Sequence, residues 1–369
     1  MQSLSGPARR SRMNTLGFGL VEIMVAVVIG LLSTIVIFQV FTVFEGQKRT
    51  TTSGGDAQQN GLLALYTIER GTRMAGYGIN YAPLFGCNVL GYDAVPPARN
   101  FSFTLAPVQI TDGAAGAPDS VTLVYGNSNQ LMASVQLLQA ANSTDVSFIV
   151  DNSFGFVAGD VLMVGEAGKN CSLATVTSVA STNVNRATGT YTDTNGTNQI
   201  ARYNASGGPG VNYSIWNPVT QTGGRLFDLG PAPAVVTYSV QNSQLVAQNL
   251  IAGGTASAIV DGIVQLQAQY GRDIDGDGAV DTWTPPSPPA APATPTDWSR
   301  VLALRLAVVA RSQQAERPDP QTGICSTTTA APTWSGGTIL LTADANWRCY
   351  RYRVFETVIP VRNQIWVPQ

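Results

Sequence analysis

The most uniform apolar run of the chain comes early. From Phe18 to Phe44 the only charge is Glu22. Twenty-odd such residues are long enough to cross a bilayer as a helix. Helical periodicity continues further on. "LLALYTIERGTRMAG" places Leu62, Leu65, Tyr66 and Glu69 at i, i+3, i+4 and i+7, with Leu63 and Ile68 on the same apolar face. That face is expected to dock a globular region. Gly54, Gly55 and Gly61 predict a break or kink, and "GYG" at 76 to 78 predicts the end of the helix.

After residue 80 the period changes to two. "SVTLVYGN" (120 to 127), "VSFIVD" (146 to 151) and "DVLMVGE" (160 to 166) read as strands bounded by turn residues. "VVTYSVQNSQLVAQ" reads as a hairpin turning at Asn242-Ser243. In "IVQLQAQY", Val264, Leu266, Ala268 and Tyr270 should face one way and the glutamines the other, as in a half-exposed strand. "VLALRLAVVA" is apolar on both faces, as a central strand would be, and "YRYRVFETVIPV" alternates again. Residues 182 to 212, rich in Asn, Thr and Gly, read as a long surface loop. "PPSPPAAPATP" (285 to 295) is a Pro-rich excursion. The fold class is therefore α+β: a long N-terminal membrane-spanning helix packed on a large β-rich head. The expected organisation is a leader (1–17), a helix (18–78, spanning at about 18–44) and a head (79–369).

Composition narrows the chemistry. Charged residues make up 12% of the 369 positions, about half the usual share of a soluble domain. The net charge is −2, with no basic stretch interleaved with aromatics, so a direct nucleic-acid site is not expected. The absence of histidine removes His-based triads and the usual zinc sites. "GGPGVNY" at 207 to 213 has no helix pattern behind it and is no phosphate loop. No enzymatic activity is expected. The four cysteines, Cys87, Cys171, Cys325 and Cys349, form no C-x-x-C pair. Their even number beyond the apolar run predicts disulfides in an oxidising compartment. Three pairings are open. Cys87 with Cys171 and Cys325 with Cys349 is preferred because it closes the shorter loops.

The N-terminus admits three readings. Residues 1 to 17 carry Arg9, Arg10 and Arg12 and no acid, a bias that keeps them cytoplasmic and sends the rest outward. A secretory signal would need small residues at a cleavage site, but the run ends in "FTVFEGQ". A plain anchor leaves Glu22 unexplained, since a charge deep in a span costs about 2.5–3.5 kcal/mol on insertion scales. A cut between Gly17 and Phe18 explains more. The new amine would then lie one helical turn from the Glu22 carboxylate, which can pair with it or with a neighbour's.

These residues carry a resemblance. "G-F-x-L-V-E" after a basic leader and before an apolar run resembles the class III leader of type IV pilins and type II secretion pseudopilins. "RMAGYG", "QYGRDIDGDGAVDTW" and "YRYRVFETVIPVRN" are similar to blocks of the PilW-type minor pilins of type IV pili. The resemblance implies that Gly17 precedes the prepilin peptidase cut, that Phe18 becomes the N-methylated first residue, and that Glu22 acts in assembly. It implies a single-pass inner-membrane precursor with a periplasmic head, later a subunit of an extracellular pilus. Its partners would be other minor pilins, the major pilin, the inner-membrane assembly platform and a tip adhesin. Its role would be to prime pilus assembly near the tip, supporting twitching motility, adhesion and DNA uptake. The alternatives are a type II secretion minor pseudopilin, or an adhesin binding through the Asn/Thr-rich loops.

"DIDGDGAVD" adds one metal candidate. Counted from Asp273, acids fall at positions 1, 3, 5 and 9 (Asp273, Asp275, Asp277, Asp281), with Gly278 at 6 and the Ala279 carbonyl at 7. That is the opening of an EF-hand-type calcium loop, but Thr284 replaces the glutamate at position 12. A polar Asp-Gly turn is the plainer reading. Repulsion among four acids favours a weakly bound calcium ion.

Overall fold

The computed structural model describes residues 19–130, 133–206, 210–287, 291–341 and 344–365. Two compact units divide the chain between Ser53 and Gly54. Helix α1 runs from Leu20 to Met74 without interruption, so the break expected at Gly54, Gly55 or Gly61 is absent. Within the first unit its apolar side chains, from Leu20 to Phe44, are exposed all round. Such a surface calls for lipid or a partner. Its hydroxyls are satisfied internally: those of Ser33, Thr34 and Thr42 donate to the carbonyls of Ile29, Leu31 and Gln39. This suits a helix in hydrocarbon, where water offers no alternative partner.

In the second unit the helix docks by small residues. Ala57, Gly61, Ala64, Ile68, Gly71, Thr72 and Ala75 are buried, at alternating spacings of about three and four. The face expected from the sequence is largely the wrong one. Leu62, Leu63 and Tyr66 are 51%, 48% and 61% exposed; Ile68 is buried and Leu65 half-buried. The reason is close approach. A Cβ on Gly61 would lie 2.0 Å from the Phe355 ring, and one on Gly71 would lie 2.9 Å from Leu123. Gly76 and Gly78, at φ +81° and +78°, turn the chain out of the helix where "GYG" predicts its end.

Among the described residues three larger sheets, with three smaller ones of two or three strands, build the head. In the first, the strands run in the order Arg99–Thr104, Asn88–Asp93, Cys171–Thr175, Val161–Gly165, Arg225–Asp228 and Val135–Gln136. It is covered on both faces, so residues alternate between two cores. Val161, Met163, Cys171, Leu173 and Phe227 enter the main core. Leu162, Val164, Ala174 and Leu226 enter a smaller core with Leu137, Phe148, Val184 and Tyr213. This is why "VLMVG" is apolar at every position rather than at alternate ones.

The second sheet runs Ser257–Asp261, Gln244–Asn249, Ala234–Gln241, Ser120–Tyr125 and Val108–Thr111. Its hairpin turns at Asn242-Ser243 with both φ values positive, 50° and 60°, the geometry a two-residue loop needs to match strand twist. The third runs Thr282–Thr284, Ile263–Arg272, Val301–Arg311 and Tyr352–Pro360. Val301–Arg311 is central. Leu304, Leu306 and Val308 face the main core, and Ala307 and Val309 face a small cluster with Ile339.

Two expectations fail here for local reasons. The pairing of Ile263–Arg272 with its neighbour shifts between Ile263 and Gln265, a bulge that moves Val264 to the face opposite Leu266. The glutamine face is also covered. Gln265 is buried and donates to the carbonyls of Gly116 and Leu340, at 2.8 and 2.9 Å. Residues 182 to 212 are not merely a surface loop. They hold short strands at Asn183–Asn185, Thr190–Thr192 and Asn198–Ile200, and bury Val184, Tyr203 and Asn204. The Asn204 amide exchanges hydrogen bonds with the Thr175 backbone, which ties the segment to the first sheet.

Candidate functional site

Gly17 and Phe18 lie outside the described residues. Glu22 is described, one turn into α1. Four backbone N–H groups at a helix start lack intrahelical partners. One of the amides at this helix start has a side-chain partner: the Gly19 N–H donates to Glu22 Oε2 at 3.1 Å. The Gly19 carbonyl meanwhile accepts from Ile23, at 3.2 Å. Glu22 therefore closes half of a capping box and sits where the helix dipole favours negative charge. A carboxylate held there can accept from an amine as readily as from an amide.

The acidic loop folds as its glycines allow. Gly276 and Gly278 take φ +85° and +84°, conformations open to glycine at little cost. They let the chain curl over Asp273, whose side-chain oxygens accept from the Gly276 and Gly278 amides, at 2.6 and 2.8 Å. Asp281 Oδ2 accepts from Ile274 at 2.6 Å. Carboxylate oxygens of Asp273, Asp275 and Asp281 come within 4.8 Å of one another, Asp273 buried and the other two exposed. Asp277 is not in this group; its Oδ1 accepts from the Ala279 amide at 2.8 Å. The nearby Asp297 belongs to a separate arrangement. Burial pushes its carboxyl up, but hydrogen bonds from Thr294 and Arg272 outweigh that and hold it below the usual carboxylate range.

The cysteines form two bridges, Cys87–Cys171 and Cys325–Cys349, the pairing with the shorter loops. The first ties the segment leading into Asn88–Asp93 to its parallel neighbour. The second closes a 24-residue separation within the long connection after the central strand.

Sequence reasoning missed the docking stripe of α1. Its signal is the spacing of small residues, Ala57, Gly61, Ala64, Gly71 and Ala75, rather than of large ones. Small residues mark helix contacts where backbones approach closely.

Residues 234–363 match the family model described as Type IV Pilus-assembly protein W. The match indicates involvement in type IV pilus assembly. It takes in the hairpin at Asn242-Ser243, the third sheet, the acidic loop and the Cys325–Cys349 bridge. No curated protein and no solved structure matches the chain. Among the described residues one helix is long and apolar enough to cross a membrane, which is consistent with membrane anchoring of a pilus-associated protein.

Proposed function

We propose that the chain is a minor pilin that primes type IV pilus assembly and sits at or near the pilus tip. The supporting observation is how α1 divides its surface. Beyond Gly54 it gives its small residues to its own head and leaves Leu62, Leu63 and Tyr66 outward. From Leu20 to Phe44 it is apolar all round. A helix that only anchored a head would have no use for large apolar side chains beyond the bilayer. A helix that packs beside those of other pilins does. In this reading the precursor is held in the inner membrane with its head in the periplasm. Prepilin peptidase cuts it between Gly17 and Phe18, and the assembly platform passes it into the filament. Mass spectrometry of the native protein should find Phe18 first, carrying one methyl group. Gly17→Val should leave uncut precursor in the membrane. An intact leader in the wild type, or a cut beyond residue 40, contradicts the reading.

The loop at 273 to 281 is proposed to hold calcium. The supporting geometry is the approach of Asp273, Asp275 and Asp281 to within 4.8 Å. Calcium takes six to eight oxygens, so water and carbonyls such as that of Ala279 would complete the shell. Affinity should be in the 10⁻⁴ to 10⁻³ M range, on the order of that of extracellular modules. At tenfold excess over the dissociation constant, calcium should stabilise the fold by about 1.4 kcal/mol. That is a rise of roughly 3 °C in melting temperature. Melting of the full chain in micelles, with millimolar calcium or with chelator, reads it. Asp275→Ala and Asp281→Ala should each remove the rise. Equal melting of the wild type in both buffers would reduce the loop to a polar turn.

A further inference from the structure

Among the described residues each of the three larger sheets ends in two edge strands, and one edge differs from the rest. The edges are Arg99–Thr104 and Val135–Gln136 in the first sheet, Ser257–Asp261 and Val108–Thr111 in the second, and Thr282–Thr284 and Tyr352–Pro360 in the third. All but the last hold six residues or fewer, and Ser257–Asp261 is also bulged. Tyr352–Pro360 holds nine residues. It pairs with Val301–Arg311 along its whole length with no shift in register. A long, straight edge presents a row of unpaired backbone groups, which folded proteins ordinarily shorten, bulge or cover.

The register says which groups are free. The Val361 amide donates to the Leu302 carbonyl at 2.8 Å, and this bond continues the ladder that sets Pro360 against Ala303. Bonded and non-bonded pairs alternate along an antiparallel ladder. Phe355, Thr357 and Ile359 therefore bond inward, while Tyr352, Val354, Glu356 and Val358 turn their N–H and C=O groups outward. Pro360, which has no N–H, falls on an outward position, where the sheet loses no bond. Among the described residues no other group bonds to the outward backbone of this strand. The hairpin of Thr333–Trp334 and Gly337–Thr338 comes close. It takes only the Glu356 carboxylate, through the Ser335 amide at 3.1 Å, and packs Trp334 in one cluster with Tyr352 and Val354. Val358 stays 51% exposed. On the other face of the strand Phe355 packs over Gly61 of α1. Arg353, on that same face, is exposed and makes no ion pair among the described residues.

We propose that this edge receives an extended strand from another pilus subunit, which becomes the fifth strand of the third sheet. The inference rests on the pilin reading. Outward donors and acceptors at every second residue match the backbone of another strand, and strand addition is a recurring mode of recognition. The side chains of the occupant follow from those it meets: an acid opposite Arg353 and an apolar residue beside Val358. A second copy of this chain does not fit. Residues opposite each other across a ladder share a face. Arg353 and Glu356 lie on different faces, so self-pairing sets no acid of this strand against Arg353. Because the edge strand itself lies on α1, the incoming subunit is brought beside that helix.

The test compares the full chain alone in lipid nanodiscs with the full chain co-purified with other pilus subunits from membranes. Hydrogen exchange is read residue by residue by mass spectrometry. Alone, the amides of Val354, Glu356 and Val358 should exchange fast, and those of Phe355, Thr357 and Ile359 slowly. In the complex the first three should slow about tenfold or more, as one added hydrogen bond of ordinary strength gives. Val358→Pro removes only an outward N–H, so its melting temperature should stay near the wild-type value while recovery of the partner falls about tenfold. Thr357→Pro removes an inward bond and should lower the melting temperature. Arg353→Glu should reduce recovery, and Arg353→Lys should not. Unchanged exchange of the three outward amides, in a complex that does form, overturns the inference and leaves the pilin reading standing. So does full recovery with Val358→Pro. A complex made only of this chain overturns the choice of occupant in favour of self-pairing. Failure of the wild type to recover any pilus subunit overturns both readings.

Discussion

Gly61→Val is expected to lower the melting temperature of the full chain by about 5 °C, while Gly55→Ala raises it slightly. Both glycines lie inside α1, and propensity alone favours replacing either, since a mid-helix glycine costs about 1 kcal/mol relative to alanine. Their surroundings decide the sign. Around Gly55 a Cβ would meet nothing within 4 Å, so the Gly55→Ala variant keeps the full propensity gain. Around Gly61 a Cβ would lie 2.0, 2.3 and 2.9 Å from three atoms of the Phe355 ring. The valine must therefore push Phe355 out of its packing or lift the helix off the third sheet. Overpacking of this kind typically costs about 1–3 kcal/mol, and about 2–4 °C follows from each kcal/mol in domains of 150–250 residues. Phe355→Ala combined with Gly61→Val should recover part of the loss, because the cavity left by the ring accepts the new methyl groups. Differential scanning calorimetry of the three variants decides the matter. Equal destabilisation by Gly55→Ala and Gly61→Val would show that helix flexibility, not close packing, is what the glycines provide.

The same glycine shows what was legible in the sequence and what was not. Strand positions were legible because alternation and turn chemistry are local. Asn242-Ser243 adopts the two positive φ values that its hairpin requires, and "VLALRLAVVA" is central because it is apolar on both faces. The preference for short loops matched both disulfides. The docking face of α1 was not legible from hydrophobicity, because two demands share one helix. Its head requires small residues for close approach, whereas Leu62, Leu63 and Tyr66 are left outward. A count of apolar residues weights the second set more heavily. The bulge at Val264 was hidden for another reason: one extra residue reverses the face of a strand, and only its pairing with Val301–Arg311 reveals it. In the acidic loop the spacing indicated four carboxylates, and the fold gathers three. The two positive-φ glycines curl the chain over Asp273, while the Asp277 side chain turns to the Ala279 amide.

Glu22 supports the prediction with the largest biological effect, and it rests on the pilin reading. A strain producing Glu22→Gln at native level should still insert and process the chain, yet lose its incorporation into pili. Two roles are open to this carboxylate, and glutamine separates them. The first is local: Oε2 accepts from the Gly19 amide at 3.1 Å, capping the helix. Glutamine retains a side-chain carbonyl that can accept the same bond, so a capping role survives the exchange. Even Glu22→Ala removes only about 0.5–2 kcal/mol of capping, too little to unfold a helix of 55 residues. The second role is electrostatic: a negative charge that pairs with the amine freed at Phe18, its own or a neighbour's. Glutamine abolishes that charge, and an ammonium near the bilayer then has no counter-ion. Insertion should become easier in both variants, since an intramembrane charge has been removed. Three readouts separate the cases: leader removal by mass spectrometry, co-purification with other pilins, and pili counted by electron microscopy. Loss in both variants with normal processing assigns the charge to assembly. Piliation kept by Glu22→Gln but lost by Glu22→Ala would make Glu22 a helix cap. Normal piliation in both would leave the carboxylate without an assembly role.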